Sequence, residues 1–286
     1  MPQNLKRVNI IRNKDVSKGY RGFFSHVLYV EAVAESYIHI GSGSIKPLFD
    51  LNKVKDVSMD ELEKLTSELK FLENVLPSRS GNYYIPGSSL KGAIRSRAEL
   101  MFKNQAGEVP ACFIVYNPRE EPKEAHLRIW GDVIFENRFK CDAGRFSRVC
   151  EVCDIFGAPS LLSKVSFGDL IPVDSDPVEI VEIYNVPQMI FRKGTKFRGI
   201  IQFGGLENYQ IGLLLHAMRV LDNKPILIGR YKYKKVKIEG REKYFGRLKF
   251  SITKIEPDNI DISEALSAFK EKLGSFYRED LDETAW

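Results

Sequence analysis

Apolar residues recur at helical spacing through Leu90, Ala93, Ile94, Ala98, Met101 and Phe102, which predicts a helix to about Lys103 with one face on a core. A second helix is expected from Ser58, with Glu61 closing a capping box and Leu62, Leu65, Leu69 and Leu72 as its stripe. Two more follow: Asn208–Asp222, with Ile211, Leu214, Leu215, Met218 and Leu221 inward, and Ser263–Phe276, capped by Ser263. Between them lie strand-like runs at Phe23–Ala34, Tyr37–Ile40, Lys164–Leu170, Phe197–Phe203 and Tyr244–Ile255. Val8, Ile10 and Ile11 mark a leading strand or arm within residues 1–22. This order predicts an α+β protein of two βαββαβ, ferredoxin-like halves, 23–170 and 171–255, sharing one sheet. Residues 46–80 and 107–154 are then insertions, and 256–286 a closing helix with an acidic tail.

The 286 residues are enough for one large domain or two small ones, and 43% hydrophobic and 28% charged content is that of a globular chain. No apolar run reaches the roughly 20 residues of a membrane span, and the polar, basic start lacks a signal-peptide core. A cytoplasmic protein without a membrane partner is the expectation. The net charge of +5 is unevenly spread. Residues 190–250 carry fifteen Lys/Arg against four acids, and 255–286 carry nine acids against three bases. That asymmetry points to a polyanion on one surface and a basic neighbour on another.

The densest chemistry is in Tyr84-Ile85-Pro86-Gly87-Ser88-Ser89-Leu90-Lys91-Gly92-Ala93-Ile94-Arg95. A strand end and a Pro-Gly turn lead into a helix for which Ser88 or Ser89 is the expected N-cap. Free first-turn amides, two hydroxyls, close backbone approach at Gly92 and the cations Lys91 and Arg95 are the parts of a phosphate-binding helix start. The bland alternative is a capped amphipathic helix with solvated basic residues. Farther on, Arg230-Tyr-Lys-Tyr-Lys-Lys235 interleaves rings with cations, which suits a strand that stacks bases and pairs with phosphates.

All four cysteines, Cys112, Cys141, Cys150 and Cys153, fall in one loop-rich segment. Cys150-Glu-Val-Cys153 has zinc-knuckle spacing, and four thiolates satisfy tetrahedral Zn²⁺. His126 is the nearby substitute ligand. Four buried, reduced cysteines are the alternative. Disulfides are disfavoured in a cytoplasmic chain.

The Gly87–Arg95 string resembles the signature of the CRISPR-associated RAMP superfamily, particularly the repeated backbone subunit of type III effector complexes. Further matches follow in the family's order: Ile38-His39-Ile40-Gly41 before it, then Ile155-Phe156-Gly157, Lys164–Asp169, Arg192–Phe197 and Tyr244–Arg247. The resemblance implies a subunit that binds guide RNA (crRNA) beside target RNA and neighbouring effector subunits. Gly87, Ser88, Ser89, Lys91 and Arg95 would hold the RNA backbone, aided by Arg192, Lys193, Arg230, Lys232 and Arg247.

It also implies a β-hairpin thumb between Pro172 and Phe191. Val186, Met189, Ile190 and Phe191 would supply its apolar wedge, although the stretch is short and lacks the family's Arg-Thr-Gly pattern. Where the family's nucleases carry a metal-assisting Asp, this chain offers Asp50 and then Asp56, so Mg²⁺- or Mn²⁺-dependent cleavage of target RNA is a nested expectation. The family's local pattern around that Asp is not reproduced. A guide-processing endoribonuclease, whose histidine would sit in the first loop one strand after His39, or a capping subunit acting through protein contacts, are the alternatives; His39 itself reads as a packed strand residue.

Overall fold

In the computed structural model the described residues are 6–16, 23–47, 58–60, 71–103, 105–112, 133–135 and 140–284. At the centre lies β1 (His26–Ala34), whose Leu28, Val30, Ala32 and Ala34 face inward while Tyr29 and Glu31 point away. On one side β1 pairs antiparallel with β5 (Lys196–Phe203), and β5 with β2 (Val165–Phe167). On its other side β1 pairs antiparallel with β9 (Arg247–Glu256), and β9 with the short β6 (Ile226–Leu227). Val30 thus stands opposite Gly199 on one flank and Ile252 on the other. The core joins this sheet to helices α1 (Gly87–Leu100) and α3 (Asn208–Met218), which touch each other, and α4 (Ile262–Leu273) runs along α3.

Read along the chain, β1–α1–β2–β5–α3–β9 is a βαββαβ unit with spatial order β2-β5-β1-β9. The described residues therefore build one ferredoxin-like unit where the strand–helix order suggested two. The reason is pairing: β5 and β9, assigned to the second half, both bond to β1.

Local details depart from expectation where side chains compete with propensity. The α3 helix ends at Met218 because Arg219 adopts a left-handed conformation (φ 57°), leaving Leu221 exposed. Its start is a capping box of Glu207 and Gln210. The α4 cap is Asp261 instead of Ser263: its carboxylate accepts from the Ser263 and Glu264 amides at 2.7 and 3.2 Å. Leu72, expected on a helix, is buried in a short strand, Phe71–Glu73, that pairs with Ile45–Pro47. Of the helix expected from Ser58, Met59 and Asp60 are helical and 61–70 lie outside the described residues. The N-terminal arm is a strand, Lys6–Ile10, parallel to Glu108–Val109 and Val133–Phe135 of the second insertion.

Two hairpins project from the main sheet. β3 (Val178–Ile183) and β4 (Val186–Phe191) are joined by Tyr184-Asn185, both at positive φ, a two-residue turn whose twist matches the flanking strands. Its apolar side is the reverse of that expected. Met189, Ile190 and Phe191 are buried, while Ile180 and Tyr184 are 50% and 64% exposed. Met189 and Phe191 join the main core, while Ile190 packs against a second hairpin, β7 (Lys235–Ile238) and β8 (Arg241–Tyr244). Ile183, Ile190, Val236, Ile238 and Phe245 make a satellite core.

Between α3 and α4 the His216 ring lies 4.6 Å from Phe269 and 4.8 Å from Tyr277, centroid to centroid. Burial, with Lys270 and Arg97 adding, pushes its pKa down to about 4. An unfolded histidine titrates near 6.5, so between those values the unfolded chain binds the extra proton and stability falls as pH is lowered. We expect this to contribute roughly 1–2 kcal/mol once the ring's partial exposure is allowed for. Denaturant midpoints measured from pH 7 to 4 should fall less steeply in His216→Phe. Equal slopes would assign the acid sensitivity elsewhere.

Candidate RNA interface and metal centre

The four cysteines come from separate pieces of the insertion and meet in the core. Cys112 follows the Glu108–Val109 strand, and Cys150 and Cys153 frame the start of α2 (Glu151–Phe156). All four are fully buried and unbridged, and their sulfurs lie within 4.8 Å of one another. Cys112 and Cys153 are 3.4 Å apart at sulfur, and the Cys150 amide donates to the Cys141 sulfur at 3.3 Å. A tetrahedron of thiolates around an ion at about 2.3 Å spaces its sulfurs by roughly 3.8 Å, so the donor set and its packing fit a metal ion. Hydrogen bonds from Cys112, Cys150 and Cys153 hold the Cys141 thiol far below its ordinary range, whereas burial and the same neighbours raise Cys150. His126 lies outside the described residues.

Carboxylates that composition alone did not single out bolt α2 in place. Glu151 accepts from the Tyr209 hydroxyl at 2.6 Å and from Asn13 at 2.9 Å. Asp154 accepts from Lys164 at 2.6 Å and Gln210 at 2.7 Å. Arg95 links this assembly to α1. Its guanidinium donates to Glu99 at 2.8 Å, to the Gly157 carbonyl at 2.7 Å and to the Cys153 sulfur at 3.3 Å. Arg95, expected to hold the RNA backbone, turns inward instead, between α1 and the cysteines.

The start of α1 is built differently from its sequence reading. Pro86 occupies the N-cap position without a side-chain cap, and neither Ser88 nor Ser89 fills it. Asp169 instead accepts from the Gly87 amide at 2.9 Å. Gly87 is pressed against β2: a Cβ there would stand 1.9 Å from the Phe167 carbonyl oxygen. Outward lie Ser88 and Gly92, both exposed, with Ser89 and Lys91 half-buried. Lys91 has no hydrogen bond or ion pair among the described residues, and burial, with Arg95 adding, lowers its pKa. It is a cation short of an anion.

The other predicted contacts divide into two places. Arg192 and Lys193 sit in the turn between β4 and β5, where Arg192 bonds Asp176 at 2.7 Å and Lys193 is exposed. Lys232 and Arg247 line a cleft of about 480 Å³ together with Leu227, Tyr233, Tyr244 and Glu283. Arg230 lies beside it, over the Tyr231 ring. Residues 231–233 form a turn in place of the expected strand, because Tyr231 packs on Phe245 and Tyr233 leans on the main core. Burial pushes the Tyr233 hydroxyl up to about 12. The cleft lies toward the far end of α1. Arg97, six residues or about 9 Å beyond Lys91, bonds Glu283.

The acidic tail is also spent internally. Glu283 bonds Arg97 and approaches Arg219 to 3.5 Å, while Asp282 bonds Arg219 at 3.0 Å and Lys224 at 3.2 Å. His39 is fully buried, with its Nδ1 2.9 Å from the Met189 carbonyl. Asp50 and Asp56 lie outside the described residues.

Among the described residues no helix is long and apolar enough to cross a membrane. A comparison with curated proteins finds no match. A family model does match, over residues 31–284, which takes in the end of β1, the α1 start, the four cysteines and the cleft. The chain therefore belongs to the RAMP superfamily.

Proposed function

We propose that this chain is the guide-RNA-binding subunit of a type III CRISPR effector complex. It holds the crRNA by phosphates and riboses, beside target RNA and neighbouring RAMP subunits, in the cytoplasm. A guide of changing sequence has to be held by its backbone. The observation that carries the reading is the outer side of the α1 start. Ser88, Ser89, Lys91 and Gly92 form a small polar surface whose ammonium has no ion pair among the described residues, on a helix anchored from behind. A structural Zn²⁺ at Cys112, Cys141, Cys150 and Cys153 supports this surface at a distance, because Arg95 ties the helix to Cys153. In this arrangement Arg95 positions the helix and Lys91 meets the phosphate.

Gly92 separates this reading from an ordinary solvated helix. Nothing lies within 4 Å of a Cβ added there, so Gly92→Ala should stabilise the helix by about 0.5–1 kcal/mol. If an RNA strand passes close to that backbone, the same methyl weakens binding. We expect Gly92→Ala to melt higher yet bind single-stranded RNA about tenfold more weakly. Lys91→Gln should lose a similar factor and lower the salt slope by about one. Filter binding and thermal melts measure both. Unchanged RNA affinity in both variants would sink the assignment.

A further inference from the structure

We propose that the cleft between residues 232–235, β8 and the 282–284 segment binds a single nucleotide unit, its base against Tyr244 and its phosphate on Lys232, Lys234 and Arg247. The inference deepens the RNA-binding reading and rests on it. Its volume of about 480 Å³ falls within the few hundred to a thousand Å³ typical of small-molecule sites. Its lining mixes two chemistries that rarely share so small a space. Lys232, Lys234, Lys235 and Arg247 supply four cations. Among the described lining residues the one carboxylate, Glu283, is already shared by Arg97 and Arg219.

Lys232 and Lys234 have no ion pair within 4 Å among the described residues, whereas Lys235 has Glu242 at 3.4 Å. Burial lowers the Lys232 pKa, and the nearby Glu283 carboxylate only partly offsets it. Tyr244 is 38% exposed, and the Arg247 guanidinium lies over its ring at 3.9 Å. A tyrosine–arginine stack offers a flat, polarised platform that a base extends whatever its identity. Arg247 is held there by the Thr284 carbonyl at 2.7 Å, and Leu227 adds an apolar wall. A bare phosphate would leave the aromatic surface unused, and an apolar ligand would strand the lysines. A phosphorylated nucleoside uses both.

The same chemistry has two sources, a free mononucleotide or one residue of an RNA strand, and two titrations separate them. In the first, AMP, adenosine and inorganic phosphate are titrated into the full chain by calorimetry. AMP should bind at least tenfold more tightly than either fragment. Tyr244→Ala and Lys232→Gln should each weaken it tenfold or more, and Tyr244→Phe should stay within about threefold. In the second, single-stranded RNA of about 20 nucleotides is bound by wild type, Tyr244→Ala, Lys232→Gln and Lys91→Gln. If AMP binding is undetectable but the cleft variants lose RNA affinity, the occupant is a residue of the strand. If the cleft variants change neither titration while Lys91→Gln still weakens RNA, the cleft proposal is overturned and the RNA-binding reading survives. Loss of effect in all three variants overturns both.

Discussion

Cys141→Ser should lower the melting temperature by about 10 °C or more and abolish stoichiometric metal. Cys141 is fully buried, and its sulfur accepts from the Cys150 amide among three other thiols. Removing one ligand leaves three buried thiols whose ionised forms have no cation to offset them. Structural zinc contributes about 10–16 kcal/mol in isolated zinc-finger peptides. Here the cysteines share one core with the main sheet, and the rest of that core stays packed without the ion, so the expected loss is nearer 4 kcal/mol, and at 2–4 °C per kcal/mol that reaches about 10 °C. Elemental analysis should find one zinc per wild-type chain and close to none in the variant. A strong chelator should reproduce the shift in wild type. RNA affinity should fall with it, because Arg95 spans from Cys153 to α1. Metal-free wild type with an unchanged melt in Cys141→Ser would leave the cluster as four packed thiols.

Gly87→Ala should destabilise the fold by about 3–4 kcal/mol, the upper end for overpacking. The added methyl would meet the Phe167 oxygen at 1.9 Å, the Phe167 carbonyl carbon at 2.7 Å and the Gly168 oxygen at 2.9 Å. All three are backbone atoms of or next to β2, so no side chain can swing aside. Either α1 moves off the sheet or β2 loses register against β5. The first breaks the bond from the Gly87 amide to Asp169, and the second disturbs Val165 opposite Phe203. Gly92→Ala, five residues on, should move the melt in the opposite direction. The two signature glycines therefore serve different ends, the first a helix–sheet contact and the second an open face. Equal melts for both variants would refute that division.

The parts of this molecule that follow from local pattern were legible without coordinates. The α1 stripe is buried as its spacing implied, and the four cysteines converge because four thiols in one irregular segment have few other uses. What stayed hidden depends on contacts between distant residues. Nothing near His26–Ala34 announces that its partners are strands starting at Lys196 and Arg247. The α1 cap was misread because the oxygen that serves it comes from Asp169, across the strand, and no serine was needed. Arg95 looked like a surface cation because its partners Gly157 and Cys153 lie about 60 residues away. Tyr231 and Tyr233 looked like a stacking ladder, but a turn directs one to each core.

The position of β1 sets the order in which the chain can become a protein. Leu28 is paired with Ile201 on one side and Ile255 on the other, so β1 is enclosed only once both β5 and β9 have been made. Until β5 emerges during synthesis, a nine-residue strand with four inward apolar side chains has neither of its partners. The folding barrier must carry the entropy of closing loops of more than 150 and more than 200 residues. Pairing over such distances slows folding, and the nascent strand stays unpaired until its neighbours arrive.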